Sequence, residues 1–97
     1  MFIIRKIIIK QPDPGFFTMQ ERMASMRKIL GSRPVNCASI HGWRHDEVPV
    51  REPMGVLGMI RLRDRLREAL NEPALSVEYS AYVVDDQKGH EIEQITV

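Results

Sequence analysis

The chain has 97 residues, 43% of them hydrophobic and 28% charged, with a formal net charge of +1. That is room for one domain and one core, and the balance argues against global disorder. A single cysteine, Cys37, excludes an intrachain disulfide and with it a secreted disulfide scaffold.

The small net charge hides a gradient. Residues 1–67 contain thirteen Lys or Arg against six Asp or Glu, whereas residues 68–97 contain one Lys against seven acids. Such asymmetry marks either a basic binding face or charge pairing between two parts of one fold. Ten of the fourteen basic residues are Arg, whose planar fork suits carboxylate, phosphate and aromatic partners.

The opening run MFIIRKIIIK is broken by Arg5 and Lys6 and lacks a small-residue cleavage site. It is too short to span a bilayer and does not resemble a signal peptide; no membrane partner is expected, and cytoplasm is the default compartment. Residues 2–10 read as a strand. Phe2, Ile4 and Ile8 share one face and Ile3, Ile7 and Ile9 the other, which predicts a central strand or a covered edge. Gln11–Gly15, with two prolines and a glycine, is a turn.

Thr18-Met19-Gln20-Glu21 fits a capping box and predicts a helix over 18–30. Met19, Met23, Met26 and Leu30 form its apolar stripe, read as core filling ahead of a partner groove. Arg27 and Lys28 suit the negative end of the helix dipole, Gly31 is a C′ residue, and Pro34 blocks continuation.

Val35–Ile40 reads as a short strand, His41–Glu47 as a turn or loop, and Val48–Arg51 as a second short strand that Pro49 confines to an edge. A second helix is predicted over Met54–Leu70, weakened at Gly55 and Gly58. Val56, Met59, Leu62, Leu66 and Ala69 give its stripe, widened by Ile60 and Leu70, and Asn71 is its C-cap. Leu75, Val77, Tyr79, Ala81 and Val83 then alternate with Glu78 and Ser80. Asp85–Gly89 supplies a turn, and Glu91–Val97 returns as a hairpin partner.

Two such helices cannot bury their own stripes and both need the sheet. The expectation is a single α+β domain over 1–97. It is a two-layer sandwich with a mostly antiparallel sheet of four to five strands, close to the ferredoxin-like split βαβ arrangement with one strand added.

Chemistry-bearing residues are sparse. Cys37, His41 and His45 are spaced four apart, with Asp46, Glu47 and His90 available as further ligands, but the paired ligands that open compact zinc patterns are missing. No metal and no cofactor are expected. Cys37 and His41 could act as nucleophile and base only across a turn, because positions four apart on a strand are separated by roughly 13 Å. Asp85 and Asp86 fall in the turn, Glu91 and Glu93 alternate onto one solvated face of the last strand, and no phosphate-loop sequence occurs.

The strongest local signal is Arg61, Arg63, Arg65 and Arg67 on the second helix, relieved by Asp64 and Glu68. Trp43 and Arg44, in the expected loop, add an anchor of the kind that dominates interfaces. These six residues point to a small non-enzymatic protein-binding or regulatory module, free to form a homodimer through Tyr82 and the isoleucine strand. Nucleic-acid binding through the same arginines is the alternative; a small enzyme built on Cys37 and the histidines is a third reading.

Overall fold

The computed structural model describes residues 2–85 and 88–97. Seven elements follow in chain order: β1 (Phe2–Pro12), α1 (Phe16–Leu30), β2 (Asn36–Ile40), β3 (Trp43–Val50), α2 (Val56–Leu70), β4 (Ser76–Asp85) and β5 (Lys88–Thr96). The strands form one sheet in the order β2-β3-β1-β4-β5, with every neighbouring pair antiparallel. Strands one to four with the two helices make the expected ferredoxin-like sandwich, and β5 is the added strand, paired to the outer edge of β4.

β1 is central, as apolar residues on both its faces imply. Ile7, Ile9 and Gln11 turn to the helices and are buried beside Asp46 and Val48 of β3 and Val77, Tyr79 and Ala81 of β4. Met19 and Met26 of α1 and Met59, Leu66 and Leu70 of α2 close this core from above. The methionine stripe of α1 therefore fills the core. On α2 the buried line is narrower than expected, since Val56 and Ala69 are exposed. Arg22 ties the layers together: its Nη1 donates to Gln11 Oε1 at 2.7 Å and to Glu72 Oε1 at 3.4 Å.

Local chemistry moves the start of the first helix. α1 starts at Phe16, not at Thr18, and no side chain caps it. The Asp13 carboxylate accepts the Gly15 N–H at 3.0 Å, Gly15 adopts φ 88°, and its carbonyl takes the Met19 N–H at 3.0 Å. This Asx-type turn begins the helix early and leaves Thr18 exposed inside the first turn. At the other end Gly31 is left-handed and donates to Arg27 O, and Asn71 ends α2 in the same conformation, both as predicted.

The loop expected over His41–Glu47 is instead a hairpin. Only His41 and Gly42 turn, at φ 50° and 79°, the two positive values that a type I′ connection requires. Trp43 is already the first residue of β3 and pairs with Ile40 and Pro12. β3 lies between β2 and β1 and is not the edge strand expected from Pro49, which is accommodated because the pairing of β3 with β2 stops at Glu47.

The hairpin of β4 and β5 forms with the predicted alternation on β4. Its expected turn over Asp85–Gly89 centres on Asp86 and Gln87, which lie outside the described residues, as does any pairing of Asp85 with Asp86. A register shift between Ala81 and Tyr82 sets Glu93 opposite Ala81 and Glu91 opposite Tyr82. Adjacent strand residues point to opposite faces, so Glu91 and Glu93 do not share the single face expected of them.

No atom lies within 4 Å of a Cβ placed on Gly42, so only its backbone conformation restricts substitution. Gly42→Ala is expected to cost about 1 kcal/mol through the left-handed penalty alone. Leu66→Ala, in the core, should cost about 3 kcal/mol. Urea unfolding of the two variants measures both.

Candidate functional site

The sheet has one face under the helices and one face uncovered. On the uncovered face Ile8 stands at the centre of β1, with Glu47 of β3 and Glu78 of β4 directly opposite on either side. Lys6 and Lys10 flank Ile8 along β1 on the same face. Lys6 Nζ meets Glu47 at 2.7 Å and Lys10 Nζ meets Glu78 at 2.8 Å. Four charges thus close a neutral ring around one isoleucine. Asn36 donates to Glu47, Gln94 donates to Glu78, and Lys6 Nζ sits 5.2 Å from the centre of the Tyr82 ring.

Apolar groups lie at both ends of this ring. Phe2 and Ile4 are 60% and 45% exposed at one end, and Ile40 and Trp43 are 48% and 41% exposed at the other. Nothing in the primary structure singled out Lys6, Lys10, Glu47 and Glu78 as a set. The signal was present in the alternation of Lys6, Ile8 and Lys10, but the partners come from strands about 40 and about 70 residues further along the chain, one on each side of β1.

The six residues expected at a partner site occupy three places. Trp43 belongs to the uncovered face. Arg44, its neighbour on β3, points to the helix side, opposite Gln11. Arg61, Arg63, Arg65 and Arg67 are on α2, which lies over β4 and against α1. Two of these four are engaged within the fold: Arg67 Nε donates to Leu75 O at 2.7 Å, and Arg63 pairs with Asp64 at 3.1 Å. Arg61 and Arg65 are exposed. The helix layer as a whole is basic, with Arg22, Arg27 and Lys28 on α1 against Glu21, and the four arginines of α2 against Asp64 and Glu68.

Cys37, His41 and His45 do not converge. Cys37 pairs with Asp46 on the helix side of the β2–β3 ladder, His45 pairs with Ala38 on the uncovered side, and His41 is at the hairpin tip. Among the described residues no group of three or more His, Cys, Asp or Glu could hold a metal ion. Burial and the adjacent Asp46 carboxylate push the Cys37 thiol above its ordinary value, whereas a thiolate nucleophile needs the reverse. Asp46 itself is fully buried and accepts Arg44 Nε at 3.0 Å, while its Oδ2 has no partner among the described residues. Burial opposes charge on Arg44, but Asp46 outweighs it and holds the guanidinium protonated.

No family model, no curated protein and no solved structure matches the chain. No helix among the described residues is long and apolar enough to cross a membrane.

The ring of charges carries a pH signature. Hydrogen bonds from Lys6 and Asn36 hold Glu47 below its ordinary 4.5, and a hydrogen bond from Lys10 does the same for Glu78. A carboxylate depressed on folding stabilises the fold fully above its unfolded value and loses that contribution as pH falls through the lowered folded value. Lys6, raised above 10.5 chiefly by Glu47, contributes fully below that value and loses its share only as pH rises beyond it. The melting temperature should therefore hold level from pH 6 to 9 and drop below about pH 4.5. E47Q/E78Q should lower it at pH 7 by the equivalent of about 1 kcal/mol, the pairs being part-exposed, and flatten the acid limb. Circular-dichroism melts across pH measure both.

Proposed function

We propose that the protein is a non-enzymatic binding module that acts as a two-fold dimer. The uncovered faces of two sheets stack on one another, and the basic helix layers turn outward toward an acidic protein partner. The observation that carries this reading is the neutral ring around Ile8, with exposed apolar groups at both of its ends. A ring whose charges are already matched among themselves adds no repulsion where it meets a second copy, and Phe2, Ile4, Ile40 and Trp43 supply apolar area that a two-layer fold otherwise leaves in water.

The area is sufficient. Five strands at about 4.8 Å spacing and about 25 Å length give on the order of 600 Å² per copy. Stacking two copies buries on the order of 1,200 Å², the lower bound of specific stable interfaces. Trp43, at the rim of the ring, is the anchor of the type that concentrates binding energy. The arginines have a separate role in this arrangement. Arg61 and Arg65 are on the opposite layer from Trp43 and project away from the dimer, where each helix layer meets its own carboxylate-rich partner.

Sedimentation equilibrium tests the dimer. The wild-type chain should sediment as a dimer at micromolar concentration, and I4E and W43E should be monomers with unchanged circular dichroism. R61E/R65E should remain a dimer. A monomeric wild type, or a dimer broken by R61E/R65E alone, defeats the stacking arrangement. The outward layer is tested by titrating a poly-glutamate peptide and a DNA duplex at low and at physiological salt. Binding of the duplex alone, falling log-linearly with salt, would replace the acidic partner by nucleic acid.

A further inference from the structure

A groove of about 630 Å³ runs between α1 and the β2–β3 hairpin. It exists because two helices do not span five strands. All five residues of β2 are exposed, so the helix-side surface of this edge stays open beside α1. Phe16, Met19, Met23 and Arg27 recur along α1 at intervals of three and four, which places them on the flank that forms one wall. Arg33 and Arg44 line the same groove from the α1–β2 connection and from β3. Three guanidinium groups therefore border a cleft whose α1 wall is apolar, although they lie far apart in sequence.

Two of the three charges are not cancelled locally, whereas that of Arg44 is paired with Asp46. Among the described residues Asp13 is the only carboxylate lining the groove, and it is occupied: Ser39 Oγ donates to it at 2.7 Å and the Gly15 N–H at 3.0 Å. Arg27 and Arg33 have no carboxylate within 4.0 Å among the described residues. Arg44 is held by its inner Nε to the fully buried Asp46, which fixes the guanidinium while leaving its two outer amino groups for a second acceptor. A fixed arginine in a partly desolvated cleft is the arrangement that favours oxyanions, since little side-chain freedom is lost on binding.

We propose that the groove between α1 and the β2–β3 hairpin binds a small organic anion, its oxyanion head held by Arg27, Arg33 and Arg44 and its apolar body lying against Phe16, Met19 and Met23. The volume is that of a small-molecule site. The head is a phosphate monoester or a carboxylate; the chemistry of recognition is common to both. The site is on the opposite layer from the proposed dimer face and does not depend on it.

The test is a titration followed by backbone amide NMR shifts at physiological salt, with phenyl phosphate, 3-phenylpropionate and inorganic phosphate as separate probes. The expected result is saturable shifts confined to α1 and the β2–β3 hairpin for one or both aromatic anions, with inorganic phosphate binding more weakly for want of an apolar body. R27Q/R33Q, both exposed and without structural partners, should weaken the aromatic anion by roughly tenfold or more. M23S should also weaken it, by removing apolar surface from the wall without adding charge. Saturable binding by the phosphate ester alone assigns the head as phosphate, and by the carboxylate alone as carboxylate. No saturable shift with either aromatic anion overturns the proposal. Shifts that appear equally at Arg61 and Arg65, or binding that R27Q/R33Q leaves unchanged, also overturn it, because both mean general attraction of anions to arginine.

Discussion

Both edges of β1 are hydrogen-bonded, to β3 along Arg5–Pro12 and to β4 along Phe2–Lys10, and the rest of the molecule is arranged around that strand. Its odd positions, Ile7 and Ile9, carry the core; its even positions carry Lys6, Ile8 and Lys10, the middle of the uncovered face. Because strand side chains alternate, the register that buries Ile9 between Asp46 and Val77 also sets Ile8 between Glu47 and Glu78. A slip of one residue would exchange the two sets, putting lysines under the helices and isoleucine in water. The charge ring is in this sense a second reader of the same register.

The charge gradient along the chain resolves into layers. The basic excess of the first two thirds is concentrated on the helices, while the described acids of the last third are divided among the end of α2, the α2–β4 connection and strands β4 and β5. Part of the gradient is internal pairing, as Arg22 with Glu72 and Lys10 with Glu78 demonstrate. Part is surface, as Arg27, Arg33, Arg61 and Arg65 demonstrate. The asymmetry is therefore partly internal pairing and partly exposed basic surface.

Periodicity was enough for the element order, the central place of β1, the two helix C-termini and the alternation of β4, because each depends on local pattern or on a residue with one strong backbone preference. It failed where a local signal had a competitor. Thr18 is a good N-cap, but Asp13 and Gly15 start the helix first. Gly42, Trp43 and the polar run after them resemble a loop, yet two residues suffice for the turn, and the strand then buries Asp46 against Arg44. The proposed partner residues were read as one patch because Trp43 and Arg44 adjoin. On a strand, adjacency means opposite faces, so the pair is divided between the two layers. The groove was illegible for another reason: Arg27, Arg33 and Arg44 are neighbours only after β3 has paired with β1.

The pairing of Phe2 with Val84 has a consequence for synthesis on the ribosome. β1 emerges first, but the strand that satisfies one of its edges is nearly the last to appear. Until β4 has left the exit tunnel, the nascent chain presents a bare isoleucine-rich edge, and β3 can protect only the other side. Completion of the sheet is thus a late event that joins strands far apart in sequence, and contacts of such long sequence separation form slowly. During that interval the early strand is open to pairing with other nascent copies.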